Sequence, residues 1–372
     1  MPGMSSIVVS GYYGSKNAGD EAMLAAMLEV FTDLDPKIKF TVISTNPVDT
    51  AKRHGVKSIN WLNIFAILKA LKNADLLISG GGSLLQNVTS GRSLYYYMGI
   101  LFLSVLVRTP IMLYAQGIGP VFGWLPRKLM CWFGNHAKLI TVRDKESLTE
   151  LEQMHISKPL IKVTADPVLA IHSVDKNIGR HILSENKVPH TKPIVGICAR
   201  EWRGLLHYKK VLADISDRIT ETFGVQIVFI PMQFPEDVRV AEKIAAYMKS
   251  TPILLNDEYT TSELLSITGN LDMLISIRLH ALIFAGVMGV PMIGMSYDPK
   301  VDRFLNSIGE KAAGNLEQTT ADDIFTQFAT KWNNKDKVKE VNGQRLAELR
   351  RAASSNAEMA LDLIRNDRIS KH

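Results

Sequence analysis

Short apolar runs recur along this chain with helix-length segments between them, and that alternation restricts the fold more than any other feature. In the first half, residues 7–10, 40–44, 76–79, 111–115, 139–142 and 161–164 read as strands, and 20–32 and 145–154 as helices between them. Strands this apolar, each followed by a helix, specify parallel sheets covered on both faces. Residues 189–193 are rich in turn formers and lack periodicity, which reads as a linker. A second series follows, with strands at 194–199, 226–230, 253–255, 273–277 and 291–295 and helices at 208–223, 236–249, 261–268 and 279–288. The stretch 342–365 is helix-forming, with apolar residues at Leu346, Leu349, Ala353, Met359, Leu361 and Ile364.

A chain of 372 residues is too long for one ordinary core. The expected architecture is α/β, with two Rossmann-like doubly wound parallel-sheet domains at 1–185 and 193–340. A C-terminal helix, 341–372, packs back across them. This is a GT-B-like arrangement, in which the carboxyl ends of both sheets face one central cleft. Ligands of open α/β sheets bind outside those ends, so strand-end residues are where function should lie.

Composition narrows the ligand classes. Net charge is +6, and 46% of residues are apolar. No nucleic-acid-binding motif is present, so no nucleic-acid partner is expected, and anionic metabolites or an anionic membrane surface fit the charge better. Cys131 and Cys198 have neither zinc spacing nor a disulfide framework, and the chain runs almost directly into a strand without a signal-like segment. A cytoplasmic location follows as an expectation. Residues 93–107 are apolar but short of the ~20 a spanning helix needs. They read as a buried crossover helix or as a partly exposed face that touches lipid. Residues 124–133 mix aromatics with Arg127 and Lys128, as an interfacial or a groove-lining helix does.

In the first half, Gly11-Tyr12-Tyr13-Gly14 ends strand one and leads to Asn17 and Asp20. Such a turn presents backbone N–H groups to an anion, or it is a plain tight turn with Asp20 as helix cap. It is neither GxGxxG nor a P-loop. Gly80, Gly81 and Gly82 close the strand at 76–79, and glycines there permit close approach of backbone or ligand. Gln116 closes the next strand, Arg143 and Asp144 the one after, and Asp166 the last. A carboxylate at Asp20 could accept bonds from a sugar hydroxyl.

In the second half, Arg200 and Gln233 follow two strands. The stretch 271–300 then reads strand, helix, strand. Its polar residues gather at the handovers: Arg278 and His280 after one strand, Tyr297, Asp298 and Lys300 after the other. Two cations and a histidine there imply an anionic substrate and proton chemistry. A helix-start imidazole is neutral by default, and an adjacent anion would raise its pKa and make it an acid.

The segments GYYGSKNAGDEAM, LLISGGGSLLQ, YAQGIGP, TVRDKESL, TADPVL and ISIRLHALIFAGVMGVPMIGMSYDPKV, from residue 11 to about 301, resemble the polysaccharide pyruvyl transferase family. They resemble the bacterial secondary-cell-wall ketal-pyruvyltransferases in particular. The resemblance implies transfer of a pyruvyl group from phosphoenolpyruvate, as co-substrate, to a sugar, giving a cyclic ketal and phosphate. The implied acceptor is N-acetylmannosamine, bridged across O4 and O6, in a lipid-diphosphate-linked oligosaccharide at the inner face of the plasma membrane. By motif, Arg143, His280 and Lys300 correspond to the family's donor-binding cations.

Residue chemistry fits that scheme. Arg binds a carboxylate in bidentate fashion, and Lys meets phosphate as a point charge. Arg143 and Arg278 would hold the donor, His280 would donate the proton and Lys300 would stabilise the departing phosphate. Asn17, Asp20, Gly81, Gly82, Gln116, Asp166, Tyr297 and Asp298 complete the expected binding set. Neither a metal nor a cofactor is expected. Two other readings are open: a nucleotide-sugar glycosyltransferase on the same fold, with Arg278 and Lys300 on a diphosphate, and a non-catalytic module that binds an anionic glycan.

Overall fold

The computed structural model describes residues 4–87 and 91–370. The chain divides into two compact units. Unit 1 holds residues up to Ile171 together with those from Leu349 onward, and unit 2 runs from His172 to Glu348.

Unit 1 alternates β1 (Ser6–Ser10), α1 (Ala18–Leu34), β2 (Lys39–Ser44), α2 (Pro47–His54), β3 (Lys57–Asn60), α3 (Ile64–Lys72), β4 (Leu76–Ser79), α4 (Gly91–Val107), β5 (Ile111–Gln116), α5 (Trp124–His136), β6 (Leu139–Val142), α6 (Lys145–Gln153) and β7 (Leu160–Val163). A 3-10 turn, Pro167–Ala170, follows. All pairings are parallel, in the order β3-β2-β1-β4-β5-β6-β7. The order reverses between β1 and β4, the switch point where such sheets open to ligand. β4, β5 and β6 are wholly buried, whereas the edge strands β3 and β7 are not. α3, α4, α5 and α6 share one apolar cluster on a single face, including Ile67, Leu101, Phe133 and Leu151.

Local chemistry sets the boundaries. α2 opens on the Asn46 cap with Pro47 in its first turn and closes on Gly55 at φ 66°, the asymmetry these residues favour. β3 was not anticipated. It has one apolar residue, Ile59, and is held by its register with β2 rather than by burial.

Unit 2 begins with α7 (Lys176–Glu185) and continues with β8 (Ile194–Cys198), α8 (His207–Phe223), β9 (Gln226–Phe229), α9 (Glu236–Ala245), β10 (Ile253–Leu254), α10 (Thr261–Gly269), β11 (Met273–Ser276), α11 (Leu279–Val287), β12 (Met292–Gly294), α12 (Pro299–Ser307) and α13 (Ala321–Asn333). Its parallel sheet runs β10-β9-β8-β11-β12 and reverses between β8 and β11. α14 (Lys335–Ser370) starts here and is counted with unit 1 from Leu349. There its Asn356 accepts at 2.9 Å from the Thr164 hydroxyl, and Arg368 pairs with Asp75.

The division therefore falls at Ile171/His172, ahead of the linker expected at 189–193. α7 packs so closely on α10 that a Cβ on Gly179 would lie 2.3 Å from the Ser266 carbonyl carbon. The Gly179 N–H donates to Ser266 Oγ at 2.6 Å. Residues 186–193 are a loop inside unit 2.

Candidate active site

In unit 1 the expected residues gather at the carboxyl ends of β1 and β4 to β7. A Cβ on Gly11 would lie 2.4 Å from the Tyr13 ring, and one on Gly80 2.2 Å from its hydroxyl. These two glycines let Tyr13 lie across the ends of β1 and β4, fully buried and with its hydroxyl unpartnered. Burial first, and the Asp20 carboxylate second, hold this phenol well above its ordinary pKa. Asn17, not Asp20, caps α1, accepting from Gly19 N at 3.0 Å and Asp20 N at 3.4 Å. Asp20 sits in the first turn of α1, partly exposed, its carboxylate 3.6 Å from where a Gly82 Cβ would be. Gly82 has φ +93°, and Gly81 has no room for a Cβ beside Met23 Sδ. The Gly14 N–H donates to Glu21 at 2.8 Å, and the other Glu21 oxygen meets His54 at 2.8 Å, which pins the turn.

Gln116 is wholly buried, and its amide nitrogen donates to the Ser79 and Gly80 carbonyls at 3.0 and 2.6 Å. It therefore ties β5 to the end of β4. The Arg143 guanidinium lies over Gly117, where a Cβ would come within 2.6 Å of Nη2. It donates to Ser83 at 3.0 Å and to Asp166 at 3.3 Å, with Asp144 at 3.7 Å. Asp166 and Asp144 also accept helix-start N–H groups, from Val168 and Ser147. Arg143 is thus fixed in direction, and two carboxylates share its charge.

In unit 2, Arg278 directly precedes α11 and is buried. Its Nη2 donates to Asp237, and Gln233 lies at 3.4–3.5 Å. Its Nε has no hydrogen-bond partner, and the start of α11 carries no side-chain cap. Burial pushes the Asp237 carboxyl up, against the pull of Arg278 and of the Met232 and Gln233 N–H groups. His280 is the second residue of α11 and is partly exposed.

Beside this pair, the Tyr297 hydroxyl accepts from Arg200 Nη1 at 3.1 Å. Both Arg200 and Lys300 approach the Tyr297 ring, at 5.1 and 5.2 Å from its centroid, and Trp202 meets it edge-on at 4.7 Å. Cations over a π face are held electrostatically. Asp298 caps α12 and holds Lys300 Nζ at 3.4 Å. Through its hydroxyl, Tyr208 donates to the Arg200 carbonyl at 2.6 Å. Its phenol is raised by burial first and then by Glu201 and Asp237, while Arg200 and Arg278 oppose. The strand ends of unit 2 carry three cations, Arg200 and Lys300 at the Tyr297 ring and Arg278 at a helix N-terminus that has donors to spare. That arrangement suits a small dianion.

The sequence profile of the polysaccharide pyruvyl transferase family matches residues 17–299. The chain belongs to that family. The match takes in the unit 1 cluster from Asn17 onward and the unit 2 cluster up to Pro299, and the reaction class it gives is pyruvyl transfer to a polysaccharide. No curated protein sequence matches the chain. Among solved structures, a putative UDP-N-acetylglucosamine 2-epimerase from Listeria monocytogenes superposes with a TM-score of 0.71 at 12% identity, over 99% of this chain and 98% of that one. MnaA of S. aureus, solved with UDP, gives 0.67 at 12% identity over 96% and 95%. The E. coli ADP-heptose heptosyltransferase II gives 0.54 at 12% over 90% and 100%. These likenesses establish a GT-B-like α/β fold for this pyruvyl transferase family member and nothing of its ligand.

Three contributors lay outside the expected set. Asp237 opens a polar helix, EDVRVAEK, and nothing in that stretch signals burial. Tyr13 sits in a turn, where the sequence alone does not place its contacts. Arg200 was visible at a strand end, but only the fold brings it to Tyr297. Among the described residues, no cluster of His, Cys, Asp or Glu has the geometry of a metal site.

Proposed function

We propose that the chain transfers the pyruvyl group of phosphoenolpyruvate to two hydroxyls of one sugar, forming a cyclic ketal and releasing phosphate. The observation that carries this is Arg278, 8% exposed, with an unpartnered Nε beside the uncapped start of α11. A buried guanidinium with a spare donor at such a point invites a carboxylate or phosphate.

In this reading Arg278 and the α11 N–H groups hold the donor carboxylate. Lys300 and Arg200 neutralise the phosphate. His280 protonates the donor methylene, which leaves a cation at C2 that the first sugar hydroxyl attacks. The C–O bond to phosphate then breaks, and the second hydroxyl adds to C2. One hydroxyl proton replaces the proton given by His280, and the other leaves with phosphate. Asp20, Asp144, Asp166 and Asp298 are the candidate bases for the sugar hydroxyls, and the last three also accept helix-start N–H groups. Arg143 serves the same transfer, and any anion it meets must share it with Asp166.

For the acceptor we propose N-acetylmannosamine in a lipid-diphosphate-linked oligosaccharide, with the ketal across O4 and O6. Phosphate release from phosphoenolpyruvate is measured with a disaccharide that ends in this sugar, beside a UDP-sugar control. Acceptor-dependent release with a pyruvyl-ketal mass gain supports the reading. Turnover of the nucleotide sugar alone would transfer the assignment to a glycosyltransferase.

A further inference from the structure

Between Asp49 and Asp144 the chain has one acidic residue, Asp75, against eleven Lys and Arg. Asp75 is itself paired with Arg368. α3, α4 and α5 contain no acid at all. These three helices lie side by side on one face of the unit 1 sheet, and their inward residues join one core. Their outward residues are not the polar set a solvated face carries. Phe65 is 87% exposed, Trp124 75%, Phe122 64% and Leu106 63%, and Phe102 and Trp132 are each more than 40% exposed. Exposed lysines and arginines stand among them: Lys69 and Lys72 on α3, Arg92 on α4, Arg108 just beyond it and Lys128 on α5. The acidic helix α6 ends the patch.

We infer that the α3–α4–α5 face docks on an anionic lipid bilayer. Large aromatic and aliphatic side chains interleaved with cations, and no carboxylate to repel a negative surface, are what an interfacial face requires. A protein partner would equally cover the apolar residues, but the one-sided charge favours a partner that is negative everywhere. The contact is peripheral, because no helix among the described residues is long and apolar enough to cross a membrane.

The placement adds to the argument. Each helix follows a parallel strand, so its start lies at the carboxyl-end edge of the sheet. Phe65, Phe122 and Trp124 are all at helix starts, on the edge that also carries Asp20, Gly82 and Gln116. Phe122 is held there from both sides of its peptide: its N–H donates to Asn87 Oδ1 and its carbonyl accepts from Asn87 Nδ2, each at 2.8 Å. A bilayer on this edge would bring a lipid-borne acceptor to the strand ends of unit 1. The docking itself does not depend on pyruvyl transfer.

The test uses the full chain and no donor or acceptor, so it is read apart from the reaction. Co-sedimentation is measured with phosphatidylcholine vesicles that contain phosphatidylglycerol and with phosphatidylcholine vesicles alone. Binding to the anionic vesicles, weaker on the neutral ones and weakened by salt, is the expected result. Each cation removed should lower the partition constant about five-fold, so Arg92→Glu with Lys128→Glu should lower it at least that much per site. Phe65→Ser with Trp124→Ser should abolish binding. All four positions are exposed, and unchanged melting temperatures will show that the variants are folded. No binding to anionic vesicles at low salt overturns the inference, as does equal binding by the folded variants. A dimer in solution that the Phe65/Trp124 variant dissolves would also overturn it, by assigning the face to a second copy.

Discussion

Arg278 and Asp237 form an ion pair inside unit 2, with 9% and 2% of their side-chain surface exposed. Asp237 also accepts the Met232 and Gln233 N–H groups, so it fixes the loop after β9 and the direction of the guanidinium together. Removing one partner from a buried pair leaves an uncompensated charge and costs about 3–5 kcal/mol. Asp237→Asn should therefore lower unfolding free energy by roughly 3 kcal/mol in denaturant titration. The paired replacement Asp237→Leu with Arg278→Met should restore most of that stability and still be inactive. Activity in the double variant would remove Arg278 from donor binding.

Arg278→Lys keeps the charge but loses the fork. It should raise KM for phosphoenolpyruvate by about 10- to 100-fold, the range set by a hydrogen bond to a charged group. His280→Ala should lower kcat by about 10²–10⁴ with KM little changed, as for loss of a general acid. Steady-state phosphate release reads both. An unchanged kcat in His280→Ala would sink the acid role.

Tyr13 and Gly80 should couple. A Cβ on Gly80 meets the Tyr13 hydroxyl, so Gly80→Ala should cost about 1–3 kcal/mol by overpacking. Tyr13→Phe removes an unpartnered buried hydroxyl and should be neutral or stabilising by up to about 1 kcal/mol. In the double variant most of the Gly80→Ala penalty should vanish, and a double-mutant cycle by thermal or denaturant unfolding measures it. Additive effects would mean that the ring moves aside.

Asp217 gives a pH signature. Burial raises its pKa, but the Ser250 hydroxyl and the Lys249 and Ser250 N–H groups outweigh burial and leave it low. Its folded-state pKa thus lies below the unfolded value. The stability it lends is present above about pH 4 and is lost as pH falls through the folded value. Asp217→Asn should cost about 1 kcal/mol at neutral pH, a low figure because the group is partly exposed. The gap between variant and parent should close in acid. A gap that stays constant down to pH about 2 would contradict the assignment.

Much of the fold was legible because its central strands are buried on both faces. β4, β5 and β6 read as continuous apolar runs, and the glycines after β4 mark its end. The edge strand β3 was not legible, since Lys57 and Asn60 face solvent and one isoleucine makes no pattern. The division at Ile171/His172 lies upstream of Pro189 and Pro193, whose turn-forming composition alone reads as a linker. The contacts of α7 with α10, Gly179 on Ser266 and Lys176 on Asn270 among them, show which unit α7 joins. At the site, residue types at strand ends pointed to Arg143, Arg278, His280 and Lys300. Their partners were hidden, because nothing local distinguishes a buried Asp237 from a solvated helix-start acid. Likewise Lys69, Arg92 and Lys128 are far apart in sequence, and only the packing of α3, α4 and α5 brings their helices side by side.

The link between Thr164 and Asn356 joins positions 192 residues apart, and all of unit 2 is threaded between them. In chain order unit 2 is an insertion within unit 1. During synthesis it leaves the ribosome whole and can fold as a contiguous domain. Unit 1 emerges earlier but must wait for residues 349–370 to supply Asn356 and Arg368. The half that starts first is thus the half that finishes last, and a chain cut short near its end would carry a complete unit 2 and an unfinished unit 1.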